Sequence, residues 1–209
     1  MNQLKKLDGT FYDRPKVLEI ARELLGKILV THMDGLLTSG RIVETEAYAG
    51  IIDRASHAYG GRRTVRNEVM YQPAGTAYIY LCYGVHHLFN VVTNKAEVPH
   101  AILVRALNPL SGIETMLKRT GKRTLDFQLT RGPGNLSKAM GLHTKYSGYS
   151  LLSDKIYIAE DDFILDPKEI VKTTRIGVDY AGRDASRKFR FIVKGNPYVS
   201  GGRKMGGGG

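Results

Sequence analysis

GRIVETEAYAG (Gly40–Gly50), IIDRASHAYGGRRTVRNEVMYQPAG (Ile51–Gly75) and TAYIYLCYGVHHLFN (Thr76–Asn90) follow one another without a break. The first piece reads as a strand, with Ile42, Glu44, Glu46 and Tyr48 on one face and Val43 and Ala47 on the other. A face that bears two carboxylates is a poor core face and a natural floor for a cleft. The middle piece, rich in Gly, Arg and Asn, has the length of a functional or mobile loop. The last piece reads as a hairpin. Ala77 to Leu81 is a strand with Tyr78 and Tyr80 on one face, Tyr83-Gly84 is the turn, and His86 to Val92 returns. The stretch holds six of the twelve Tyr.

Working outward, residues 1–10 read as a loose lead-in. Asp13 is a candidate helix cap, with Pro15 in the first turn. Val17, Ile20, Ala21, Leu24 and Leu25 recur at helical spacing, and Gly26 ends the run. Ile28 to Thr31 reads as a strand, Asp34-Gly35 as a hairpin turn, and Leu37 to Tyr48 as the next strand. Downstream, Ala101 to Ala106 is a strand. Pro109 is expected to open a helix carrying Leu110, Ile113, Met116 and Leu117, closed by Gly121. A basic loop, 122–133, leads to a short helix from Gly134-Asn135 to Met140, stopped by Gly141. After a polar loop, 143–155, strands are expected at Ile156–Ala159, Ile170–Arg175 and Phe189–Val193. Hairpin-joined strands outnumber helices, and no repeat or linker divides the chain. The expectation is a single α+β domain over residues 1–203 on an antiparallel or mixed sheet, with 204–209 a disordered Gly-rich tail.

At 209 residues and 42% hydrophobic composition the chain can bury a real core. Lys and Arg number 31 against 20 Asp and Glu, a net charge of +11. Such a charge attracts polyanions, nucleic acid foremost, or belongs to a basic but inert surface. The single Cys82 excludes an internal disulfide. The six His show no metal spacing, and His86 and His87 point to opposite faces of their strand, so no metal and no cofactor are expected. No window approaches a membrane span, and Met1 to Thr10 has no apolar leader core. The expectation is a cytoplasmic, nucleoid-associated protein if bacterial, the favoured reading, or a nuclear one if eukaryotic; without heptads or an obvious apolar interface it is expected to be a monomer.

Glu44 and Glu46 stand roughly 6–7 Å apart along the strand. Paired carboxylates can activate water and donate a proton in glycosyl transfer; an exposed strand face with ordinary ion pairs carries the same spacing. Arg105, flanked by apolar residues, can hold a carboxylate ionised and position water, or form a purely structural ion pair. Tyr48, His57 and Tyr80 can form an aromatic slot for a flat base, or be ordinary sheet residues. Tyr83, followed by Gly84 at a turn, can project outward as a wedge or fold back onto the sheet. Arg131 to Lys138 (RGPGNLSK) can cup an anion at a helix start or be a simple Gly turn; it lacks the GK[ST] ending of a P-loop. On these residues a carbohydrate hydrolase using both carboxylates, a non-catalytic nucleic-acid binder, and an enzyme acting on nucleic acid all stay open.

The sequence resembles the alkyladenine DNA glycosylase family, the 3-methyladenine DNA glycosylases of the methylpurine type. The matching pieces are ELLGKILV (Glu23–Val30), GRIVETEAY (Gly40–Tyr48), the His57 region with Gly60, Gly61, Arg62, Thr64, Arg66 and Asn67, and PAGTAYIYLCYG (Pro73–Gly84). ILVRALNPL (Ile102–Leu110), GPGNLSKA (Gly132–Ala139) and RFIVKGNPYVS (Arg190–Ser200) follow in the expected order. The resemblance implies a curved antiparallel sheet and a monofunctional glycosylase that releases a damaged purine from double-stranded DNA, leaving an abasic site. It makes Glu46 the general base and Arg105 the residue that helps hold the attacking water. Tyr48, His57 and Tyr80 clamp the flipped base, Tyr83 fills the gap in the duplex, and Asn90 clashes with the 2-amino group of guanine. Glu44 becomes a supporting residue.

Overall fold

In the computed structural model, residues 4–201 are described; the 204–209 tail lies outside them. The described residues build one sheet from nine strands. They are β1 (Lys5–Lys6), β2 (Ile28–Met33), β3 (Leu36–Tyr48), β4 (Ala77–Cys82), β5 (His86–Thr93), β6 (His100–Ser111), β7 (Ile156–Glu160), β8 (Ile170–Thr173) and β9 (Arg190–Val193). The order is β1-β7-β2-β3-β6-β5-β4, with β8 and β9 branching from β3, and every pairing is antiparallel. The α+β expectation stands, resolved to a purely antiparallel sheet.

The branch at β3 positions everything that follows. One edge of β3 is covered by β6 from Ser39 to Tyr48. The other edge is shared: β2 pairs with Leu36 to Arg41, and β9 takes over at Glu44 to Glu46. Between the two partners the β3–β6 register slips at Ile42/Glu44 and again at Glu44/Thr45. A bulge of this kind re-aims side chains. Ile42 joins Ala47 in the main core, while Val43 packs with Ala106 and Tyr198 on the opposite side. The expected alternation is therefore corrected. Ile42 does not share the face of Glu44, Glu46 and Tyr48, because the extra residue at the fork inverts the parity.

The main core lies between one face of the sheet and helices α2 (Val17–Glu23), α3 (Ile113–Thr120) and α4 (Pro133–Met140). Ile20 of α2 and Leu24 just after it, Met116 of α3 and Leu136 and Met140 of α4 meet Leu29, Ala47, Phe89, Val91, Ile102 and Val104 of the sheet. Each large side chain buried here contributes about 1.5–3 kcal/mol. The alternate residues of β4, β5 and β6 face the other way, where Tyr78, Val92 and Ala101 pack with Ala58, Met70 and Tyr71 of the long loop after β3. That loop folds as three short 3₁₀ turns, Gly50–Ile52, Tyr59–Gly61 and Glu68–Tyr71, and roofs this second face.

Four further local expectations are corrected. Of the expected loose lead-in at 1–10, residues 1–3 lie outside the described residues and the rest is ordered: β1 pairs with β7, and Asp8 caps α1 (Gly9–Tyr12) through the N–H groups of Thr10 and Phe11. Asp13 ends α1 instead of starting α2, whose cap position is Lys16. Pro109 does not open a helix; it sits in β6 opposite Gly40, beside a register slip where the missing N–H is tolerated, and α3 begins after Gly112. Finally, β8 stops at Thr173, which frees Arg175 for the site below.

Candidate active site

β3 delivers Glu44, Glu46 and Tyr48 to the face under the long loop. Neither carboxylate has any solvent exposure. Glu44 Oε1 accepts from Arg105 Nε at 2.8 Å, Arg190 Nε at 2.7 Å and Ser200 Oγ at 2.8 Å, and Oε2 accepts from the Ser200 N–H at 2.6 Å. Glu46 is held differently. Its Oε1 accepts from the Ile176 N–H at 2.8 Å and lies 3.3 Å from Arg105 Nη1, and its Oε2 accepts from the Tyr48 hydroxyl at 2.8 Å. A carboxylate offers about four lone-pair sites; four hydrogen bonds fall on Glu44, while Glu46 has three partners and keeps one site open. Arg105 thus bridges both carboxylates; burial works against its charge, and Glu46 and Glu44 outweigh burial and raise its pKa.

Above Glu46 opens a cleft of roughly 610 Å³. Tyr48, His57, Tyr80, Asn90 and Arg105 line it, and Tyr83 stands at its rim. Glu46 itself lies behind this wall, and its three partners Tyr48, Arg105 and Ile176 are all part of the lining. His57 and Tyr80 meet edge to face with centroids 4.6 Å apart, and Tyr78 tilts against Tyr80 at 5.4 Å. His57 Nδ1 shares a hydrogen bond of 2.8 Å with the Tyr78 hydroxyl. Burial, then the nearby Arg66 and Arg62, lowers the His57 pKa to about 4, so the ring is neutral at pH 7. Burial, and next the Glu46 charge, raises the Tyr48 hydroxyl well above the usual phenol range. Asn90 is buried, and its Nδ2 donates to the carbonyls of Tyr78 and Leu88 at 3.1 Å each, which fixes the amide.

Tyr83 is 89% exposed. It has a φ of 50° and Gly84 a φ of 73°, two left-handed residues in succession within a three-residue connection, where the Val85 N–H closes the turn on the Cys82 carbonyl at 3.1 Å. The ring therefore projects and does not fold back. Arg66, over the Tyr80 ring at 4.9 Å, and Arg131, which donates to the Pro197 carbonyl, bring positive charge to the cleft walls. Gly132, Pro133 and Gly134, at the start of α4, also line the cleft, with Gly134 packed against His86 of the hairpin. No described residues form a group of three or more metal-ligating side chains. Among the same residues no helix is long and apolar enough to cross a membrane.

All seven site residues read from the sequence thus gather at one cleft, with Glu46 beneath its wall. Sequence reasoning missed Arg190, Ser200, the Ile176 N–H and the Asp53–Arg175 pair. Arg190 and Ser200 lie in the closing RFIVKGNPYVS piece, a usable signal. A backbone N–H leaves no residue-type signature.

An aromatic cleft with cationic walls over a buried carboxylate has the chemistry to take a planar ligand within a polyanion. The comparisons specify it. The sequence model described as Methylpurine-DNA glycosylase (MPG) matches residues 10–197. Relatives named "Putative 3-methyladenine DNA glycosylase" include one from Clostridium acetobutylicum, 43% identical over 93% of this chain and 97% of its own length. One from Bacillus cytotoxicus is 44% identical over 93% and 99%, and one from Chlamydia abortus 45% identical over 90% and 97%. The chain belongs to the methylpurine-DNA glycosylase family. It is a hydrolase acting on N-glycosyl bonds, with DNA as its substrate.

Proposed function

We propose that this chain excises alkylated or deaminated purines from duplex DNA, extruding the nucleotide into the cleft and hydrolysing its N-glycosidic bond with a water activated by Glu46. The observation that carries this is Glu46 held by Ile176, Tyr48 and Arg105 beneath the Tyr48–His57–Tyr80 slot, with acceptor capacity left on Oε2. The base stacks among the rings. Water attacks C1′, Glu46 takes its proton, and the C1′–N bond breaks with its electron pair leaving on the purine. Alkylation at N3 or N7 makes that purine cationic, so it departs neutral. Hypoxanthine needs a proton as well, and a His57 that titrates near 4 does not supply it at neutral pH. No Lys lines the cleft among the described residues, so the chemistry ends at an intact abasic site without a Schiff base. Tyr83 wedges into the space that the base vacates, and damaged pairs open at lower cost. Asn90, its amide fixed from behind, excludes the 2-amino group of guanine.

The test is base release from duplexes carrying one hypoxanthine or one 7-methylguanine, wild type beside Glu46→Gln. The expected outcome is release by wild type, lost by about 10²–10⁴-fold in the variant, with duplex binding retained. Release that survives in Glu46→Gln would remove Glu46 as the base. Tyr83→Ala is expected to weaken the lesion complex far more than binding to undamaged duplex, read by titration at matched salt. Equal losses would refute the wedge.

A further inference from the structure

Asp53 and Arg175 form an ion pair in which neither side chain has solvent exposure. The contact is bidentate, Nη1 to Oδ2 at 2.5 Å and Nη2 to Oδ1 at 2.8 Å. Asp53 also accepts from the N–H groups of Ala49 and Ala55, both at 3.1 Å. Arg175 donates to the carbonyl of Ala47 at 2.9 Å and to that of Asp184 at 3.3 Å. Its guanidinium lies over the Tyr48 ring, 4.8 Å from the centroid, and the next residue, Ile176, is the one whose N–H holds Glu46. Tyr48 lines the cleft and Arg175 does not, so the cation sits behind the ring on which a base would stack.

A cationic purine stacked on Tyr48 would feel that guanidinium through one ring, at roughly 8 Å. In a partly desolvated site an uncompensated charge at such a distance disfavours a second cation by about tenfold or more, and leaves a neutral base nearly untouched. Asp53 cancels it from the far side. We propose that Asp53 is a specificity-determining positioning residue, which by neutralising Arg175 behind Tyr48 lets one aromatic slot take both cationic and neutral damaged purines. This rests on the glycosylase reading of the cleft. The plain alternative is a clasp that only ties the end of β3 to the loop at Asp53 and to the 175–184 segment.

The test compares the affinity for a duplex carrying 7-methylguanine, which is cationic, with that for a duplex carrying hypoxanthine, which is neutral while bound, in otherwise wild-type protein, Asp53→Asn and Arg175→Gln, each combined with Glu46→Gln to hold back release. The ratio of the two affinities in one preparation does not depend on the fraction folded. Asp53→Asn, with Asp53→Ser as the second variant should it fail to fold, is expected to lower the cation-to-neutral ratio about tenfold. Arg175→Gln is expected to leave it at or above the wild-type value. An unchanged ratio in the Asp53 variants, or a parallel fall in Arg175→Gln, overturns the proposal and leaves the clasp. Release of neither base by wild type overturns the glycosylase reading instead.

Discussion

Glu44 and Glu46 occupy the same strand, two residues apart, and both are fully buried. Around Glu44 two guanidinium groups and both donors of Ser200 converge, three of the four hydrogen bonds falling on one oxygen. Around Glu46 the partners are a peptide N–H, a tyrosine hydroxyl and the far end of the shared Arg105, and each of them also forms cleft wall. The first environment consumes a carboxylate to hold strands together. The second orients one and keeps part of it available. Burial and residue type are equal at the two positions, so the partner set is what distinguishes Glu44 from the base proposed at Glu46.

Substituting each carboxylate in turn is the strongest way to break this comparison. Glu46→Gln should cost activity with little loss of fold, as set out above. Glu44→Gln should do the reverse, because it strands Arg190 as a buried charge and leaves Arg105 with Glu46 alone. Losing one partner of a buried pair costs about 3–5 kcal/mol, which denaturant midpoints at constant m would read. A Glu44→Gln protein as stable as wild type would end the clasp reading.

His57 provides a pH-dependent contrast on the opposite wall of the cleft. Its folded pKa, about 4, lies below the ordinary histidine value of 6.5, so between those values the unfolded chain binds more protons. Stability is full above pH 6.5 and falls as pH drops towards 4, by on the order of 2–3 kcal/mol from this group. His57→Gln should flatten that window in unfolding curves. An unaltered acid slope would show that the ring titrates normally. The smallest effect sharpens the Glu44 side. Ser200→Ala removes one hydroxyl hydrogen bond to Glu44, keeps the Ser200 N–H, and should cost about 1 kcal/mol, or about 2–4 °C in Tm for a chain of this size.

The hairpins were legible because their turns are encoded locally. Asp34-Gly35 and Tyr83-Gly84 both take left-handed φ, and the strands on either side fall where the alternating residues place them. The short helix after Gly132 and its stop at Gly141 were legible for the same reason. The helix after Pro109 was not, since proline marks a strand irregularity as readily as a helix start, and Gly40 across the sheet decides which. The rings at Tyr48, His57 and Tyr80 could be singled out by type, and their convergence needed the loop to fold back over the second face.

The sequence by itself determined the α+β class, the strands and turns written in local chemistry, the basic charge and the family pieces, because each depends on residues near one another in the chain. The tertiary structure decided the bulge at Ile42–Glu44, which exists because β2 and β9 divide one edge of β3. It also decided the division of labour between two identical carboxylates. Arg190 and Ser200 are 146 and 156 residues from Glu44, and the Ile176 N–H is 130 residues from Glu46. A buried carboxylate takes its role from the donors packed against it, and contacts over such separations exist only once the sheet has closed.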